Sequence, residues 1–243
     1  MPRKGKIASV AAADAASGGI AAVDKALSVV AAFQSGDGPL TLAELAERTR
    51  LYKSAVLRAL ASLEHRRWVQ RIGDGRYVLG SEIARLYGIY SSSFSLERAV
   101  VPVLEELVRR TGESASYHVR QGEARICLHR VDSPHPVRDH ARAGDVLPLH
   151  RGAGGRVLVA FDEDLPEQEG RSAKAYYNRI RKQGYCAVVG DRMAEVAGIS
   201  APVFGQDGRL VGALTLTMPA HRYRADYAPL VVDAAAALAG MLP

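Results

Sequence analysis

Three short, differently patterned segments between residues 22 and 80 constrain this chain most. Val23, Ala26, Leu27 and Val30 recur at i, i+3, i+4 and i+7, which predicts an amphipathic helix over Ala22–Phe33. Gly36-Asp37-Gly38-Pro39 ends it with turn residues. Thr41-Leu-Ala-Glu44 is a capping box, in which hydroxyl and carboxylate each satisfy an amide left bare at a helix start. Leu42, Leu45 and Ala46 are the inner face of that second helix. After Thr49-Arg50-Leu51 a third helix is expected from about Tyr52 to His65. Val56, Ala59, Leu60 and Leu63 face inward, and Lys53, Ser54, Leu57, Arg58 and Ala61 form the opposite stripe. Trp68–Ile72 and Arg76–Leu79 flank Gly73-Asp74-Gly75, the pattern of a β-hairpin.

Two short helices joined by a few residues, the second with a basic and small-residue outer stripe, match helix-turn-helix geometry. In that arrangement the second helix enters the DNA major groove. The base-reading candidates are therefore Lys53, Ser54, Leu57 and Arg58, and the hairpin becomes a wing that brings Arg71 and Arg76 to phosphates. Charge agrees. Of the net +6, residues 1–90 hold 13 Lys/Arg against 8 Asp/Glu, whereas the remainder holds 19 against 18. A basic segment on a nearly neutral body is the footprint of a polyanion. The alternative is a helical bundle with a hairpin that docks on another protein.

From Ser81 to Tyr90 a helix is expected, broken by Ser91-Ser-Ser-Phe-Ser95 and followed by a helix over Leu96–Arg110 that Thr111-Gly112 closes. Beyond, strands are predicted at Glu113–Val119 and Ala124–Val131 around Gln121-Gly-Glu123, and at Ala201–Phe204 and Leu210–Met218 around Gln206-Asp-Gly208. Helices fit Gly155–Phe161, Ala173–Gln183 and Tyr223–Leu242. The fold class is α+β with an antiparallel sheet.

Pro148-Leu-His-Arg-Gly-Ala-Gly-Gly-Arg-Val157 is the segment suited to chemistry, because glycines leading into a helix expose amides beside the positive end of its dipole. It is neither a phosphate-binding loop of the Gly-Lys-Ser/Thr type nor a dinucleotide fingerprint. His118, His129, His135, His140 and His150 stand alongside Cys127 at spacings that match no zinc motif, and a surface or loop position is expected for most. A metal-binding sensor or an enzyme built on the glycines, Asp191 and these histidines is the competing reading, although no nucleophile motif is present. Two cysteines, Cys127 and Cys186, indicate a reducing compartment, with a structural pair as the alternative. Ile7–Ala13 is too short for a secretion signal and no apolar run spans a bilayer, so a cytoplasmic protein without a membrane partner or cofactor is expected.

The stretch Ala22–Gly80, above all Leu40-Thr-Leu-Ala-Glu-Leu-Ala46, Lys53-Ser-Ala-Val-Leu-Arg58 and Arg76-Tyr-Val-Leu-Gly80, resembles the winged helix of the IclR family, named for the isocitrate-lyase regulator. The resemblance implies a basic arm at 1–18, a winged helix-turn-helix at 19–80, a linker helix and hinge at 81–95, and a GAF-like effector domain at 96–243. It further implies a transcription regulator, a repressor before an activator, binding a pseudo-palindromic operator as a homodimer or homotetramer and answering to a small organic acid. Carried over residue by residue, the effector pocket comprises Leu147, Ala153, Gly154, Asp191, Gly198, Thr215 and Thr217. Arg50 and Arg67 stand where the family usually has glycine, and Arg156 replaces its usual lysine. A non-glycine residue at positive φ is costly, so the two turns are left open.

Overall fold

The computed structural model describes residues 8–93, 96–162 and 171–242, in two compact units, Met1–Ser93 and Phe94–Pro243.

In the first unit α1 (Val10–Ala13) is one helical turn capped by Ser9, so part of the expected arm is ordered, while residues 1–7 of that arm lie outside the described residues. α2 (Ala21–Ala31), α3 (Leu42–Thr49) and α4 (Lys53–His65) precede a hairpin of β1 (Val69–Arg71) and β2 (Tyr77–Leu79). The capping box closes as read: the Glu44 amide donates to Thr41 Oγ1 at 3.2 Å and the Thr41 amide to Glu44 Oε2 at 2.7 Å. Val29, Leu45, Val56, Leu60, Val69 and Tyr77 make the core. Each such side chain contributes about 1.5–3 kcal/mol by leaving water. Leu40 pairs with Tyr77 in a single antiparallel bridge beside the wing.

Arg50 (φ 55°) and Arg67 (φ 59°) both adopt the left-handed conformation. Each ends a helix in the same way: Leu51 N–H reaches the Ala46 carbonyl at 3.1 Å, and Trp68 N–H the Leu63 carbonyl at 2.9 Å. These are six-to-one helix closures, which glycine makes most cheaply. The turn geometry survives the loss of glycine; the strain stays in the chain. α5 (Ser81–Ser93) runs through the serines at which a break was expected, because serine lowers helix propensity only mildly. Phe94 and Ser95, the rest of that expected hinge, lie outside the described residues.

The second unit contains α6 (Leu96–Thr111), β3 (Ser114–Gln121), β4 (Ala124–Val131), β5 (Val146–Pro148), α7 (Gly152–Ala160), α8 (Arg171–Gln183), β6 (Cys186–Val189), β7 (Val196–Phe204), β8 (Leu210–Pro219) and α9 (Ala228–Ala239). The strands form one antiparallel sheet in the order β5-β4-β3-β8-β7-β6. Alternation divides its faces. Ala115, Tyr117, Ile199, Leu214 and Leu216 pack with Leu104, Leu107, Val231 and Leu238 of α6 and α9. Ser116, Ser200 and Thr215 stand in register on the other face, where α7 lies. Between Tyr117↔His129 and His118↔Cys127 one extra residue, Leu128, makes a β-bulge. That bulge brings Arg125 and Arg130, five residues apart, to the same side.

Several boundaries differ from expectation. β5 and β6 were not foreseen, and β7 starts at Val196 rather than Ala201. Pro202 lies inside the expected strand, beyond the end of β6, where β7 pairs only with β8 and a missing amide is tolerated. α7 begins at Gly152, three residues early, and the first part of the expected last helix holds a short 3-10 turn at Ala225–Tyr227, with another just before it at Ala220–Arg222.

Candidate functional site

Two surfaces are arranged for binding. The first is the outer side of α4. Lys53, Ser54, Leu57, Arg58 and Ala61 are all exposed, opposite the buried Val56, Leu60 and Leu63. The hairpin tip offers Arg71, whose guanidinium lies 5.9 Å over the Tyr77 ring, and Arg76, whose Nε is 3.4 Å from Asp74. Arg48, part of the basic run, is not available to a polyanion. It forms a two-pronged pair with Asp37 and donates to the Ala32 carbonyl, which ties α3 to the turn after α2.

The second surface is a cavity of about 30 Å³ between the first turn of α7 and the sheet. All seven residues assigned by resemblance line it: Leu147, Ala153, Gly154, Asp191, Gly198, Thr215 and Thr217. The floor is a polar row. Ser200 Oγ and Thr215 Oγ1 are 2.9 Å apart, and Ser116 Oγ lies 2.8 Å from His118 Nε2. The Asp191 carboxylate is engaged within the protein. It accepts the Gly152 amide at 2.5 Å and both prongs of Arg156, at 3.2 and 3.0 Å. These partners hold its carboxyl below the usual carboxylate range despite partial burial. Asp191 is thus a cap on α7, and Arg156 a positioning group rather than a solvated arginine.

Sequence reasoning missed the most buried charge of the cavity, Arg125, which is only 4% exposed. Its guanidinium lies across the glycines of α7. A Cβ at Gly155 would come within 2.4 Å of Nη1 and 1.9 Å of the Leu149 carbonyl, and one at Gly154 within 2.7 Å of Thr215 Oγ1. The glycine run therefore makes room for a cation and a hydroxyl. Nη1 donates to the Pro148 carbonyl at 2.9 Å and to the Arg151 carbonyl. Burial lowers this guanidinium to about 10, still protonated near neutral pH. A charged residue between Ala124 and Ile126 in a strand pattern was the signal available in the sequence.

His118 is fully buried and held well below its ordinary 6.5 by burial first, then by Arg125, Arg130 and Arg192. It is a neutral ring, not the surface histidine expected, and His129 is buried likewise. Asp139 is shared by Arg130 and Arg192. Among the described residues no three His, Cys, Asp or Glu side chains gather into a metal site. Cys127 and Cys186 are free buried thiols, pushed up to about 12 and about 11 by burial. No helix of the described residues is long and apolar enough to cross a membrane.

A winged helix-turn-helix in one unit and a polar cavity under a glycine-rich helix in the other define a DNA-binding regulator with a sensing domain. The chain belongs to the IclR family of transcriptional regulators. The family model of the IclR helix-turn-helix domain matches residues 22–73, and that of the bacterial transcriptional regulator IclR C-terminal matches 89–173 and 169–241. The chain is 28% identical over 226 residues to the glycerol operon regulatory protein of Streptomyces griseus, covering 86% of this chain and 89% of that one. It is 26% identical over 232 residues to the Pca operon regulatory protein of Acinetobacter baylyi, covering 86% and 82%. In fold it is similar to an IclR homolog from Microbacterium hydrocarbonoxydans solved with 4-hydroxybenzoate, at a TM-score of 0.78 and 19% identity over 90% of this chain and 97% of that one. This chain, like its family, is a regulator rather than an enzyme.

Proposed function

We propose that this regulator works in the cytoplasm as a homodimer or homotetramer on a pseudo-palindromic operator, and that a small organic acid in the α7 cavity sets its DNA affinity. Lys53, Ser54, Leu57 and Arg58 read bases, and Arg71 and Arg76 touch phosphates. The observation that carries the effector reading is the gathering of Leu147, Ala153, Gly154, Asp191, Gly198, Thr215 and Thr217 around one cavity. Its lining holds three guanidiniums, Arg125, Arg130 and Arg192, against two carboxylates, Asp139 and Asp191. The excess of positive charge suits an anion. The first-turn amides of Ala153 and Gly154 have no carbonyl four residues back within α7 and support the same choice. The Microbacterium homolog's 4-hydroxybenzoate is an organic acid, which is consistent with this reading.

Binding at two sites of one molecule is reciprocal, so an acid that prefers one state shifts operator affinity by typically 5–150-fold. The test is fluorescence anisotropy of the full chain on its selected operator, with and without a panel of small carboxylates. Arg58→Ala is expected to weaken operator binding by about 1–3 kcal/mol if it grips a base edge. A panel in which no acid moves the affinity, or a protein that sediments as a monomer and protects a single half-site, would overturn the proposal.

A further inference from the structure

We infer that Arg125 is the charge-reading group of this cavity: its free inner edge pairs with the carboxylate of a compact acid, and His118 takes that acid's neighbouring hydroxyl or keto oxygen. The inference rests on the effector reading above and narrows it, both in the residue responsible and in the ligand's size.

Three buried side-chain polar atoms lack a hydrogen-bond partner among the described residues: Glu64 Oε1, His118 Nδ1 and Arg125 Nε. The first belongs to the other unit. The remaining two line the same cavity, on side chains 3% and 4% exposed. Folded proteins seldom leave such atoms unmatched without a functional reason.

Arg125 also lacks a counter-charge. Its two hydrogen bonds go to the neutral carbonyls of Pro148 and Arg151. The carboxylates nearby are already engaged, Asp191 with Arg156 and the Gly152 amide, and Asp139 with Arg130 and Arg192. A desolvated cation without an anion is strongly unfavourable, so an entering carboxylate gains more here than at an already balanced pair. The planar fork of a guanidinium matches the two oxygens of a carboxylate.

His118 is neutral, with Nε2 committed to Ser116 Oγ. Its Nδ1 serves as donor or acceptor according to tautomer, so it can meet a keto oxygen or a hydroxyl. Size supplies the remaining limit. A free volume of only about 30 Å³ favours a compact acid over a bulky one.

The decisive experiment is calorimetric titration of the full chain with glycolate, glyoxylate and lactate, with the neutral glycolamide and lactamide, and with 4-hydroxybenzoate. The short acids are expected to bind about 10- to 100-fold more tightly than the matched amides, and more tightly than 4-hydroxybenzoate. Arg125→Lys should weaken the acids, and Arg125→Met should abolish the difference between acid and amide. Circular dichroism establishes that the variants fold. The comparison of acid with amide in the unaltered chain stands even where a variant does not.

Equal binding of acids and amides would overturn the inference. So would a folded Arg125→Met protein that still discriminates between them, or tighter binding of the aromatic acid. In each of those cases the effector reading survives if the bound acid shifts operator affinity. If no acid of any size binds or shifts that affinity, the effector reading itself falls.

Discussion

Replacing Asp191 by Asn separates a ligand contact from a structural cap. In the unliganded protein the carboxylate accepts the Gly152 amide and two Arg156 nitrogens, and it is about three-quarters buried, with 23% of the side chain exposed. A hydrogen bond to a charged group contributes about 1.5–3 kcal/mol, toward the low end where water reaches it. Asparagine keeps one acceptor oxygen, loses the charge, and turns its NH2 toward a guanidinium. A loss of about 2 kcal/mol is therefore expected without any ligand present. With a urea slope of about 1–3 kcal/mol per molar, the midpoint should fall by roughly 1 M. Trp68, the one tryptophan of the chain, lies in the first unit, so its fluorescence should show a smaller shift than far-UV circular dichroism. Arg156→Gln should lose a similar amount, and the double variant little more than either. An unchanged midpoint in Asp191→Asn would refute the cap and return the carboxylate to the ligand.

Further outcomes follow from the strained arginines and the buried histidines. Arg50→Gly should raise the stability of the first unit by at most about 1 kcal/mol, since relief of left-handed strain outweighs the added freedom of the unfolded chain; a loss of stability in urea unfolding would show that the side chain holds the turn. Because His118 titrates in the folded state well below its ordinary 6.5, unfolding releases a site that binds a proton more readily. Stability should be flat above about pH 7 and fall as pH drops below about 6.5, with a slope approaching 1.4 kcal/mol per unit. His129, also lowered by burial, acts in the same direction. His118→Asn should flatten most of that slope in thermal unfolding measured from pH 7.5 to 5.

The first unit was legible because its signals are local. Thr41 and Glu44 cap within one turn, α4 separates its faces by period, and the glycines at 73 and 75 mark the hairpin. The second unit hid more, since its edge strands are short and one of them ends in Pro148. The lining residues Thr215 and Thr217 were reachable by resemblance and alternation. Arg125 and His118 were not, because the partners of Arg125 are distant in sequence and the importance of both lies in bonds they do not make. Asp191 was assigned by resemblance without Arg156, whose pairing with it spans 35 residues.

The extra residue at Leu128 bears on how this strand can vary among descendants. Side-chain direction in a strand depends on whether the count of residues is odd or even. Arg125 and Arg130 share the cavity only because the bulge makes an odd separation act as an even one. Removing a single residue there would make the separation four, so strict alternation would keep both guanidiniums on the cavity side without a bulge. One residue can therefore be lost at the bulge without reversing the strand, whereas losing two would turn one guanidinium into the apolar layer packed with α6 and α9.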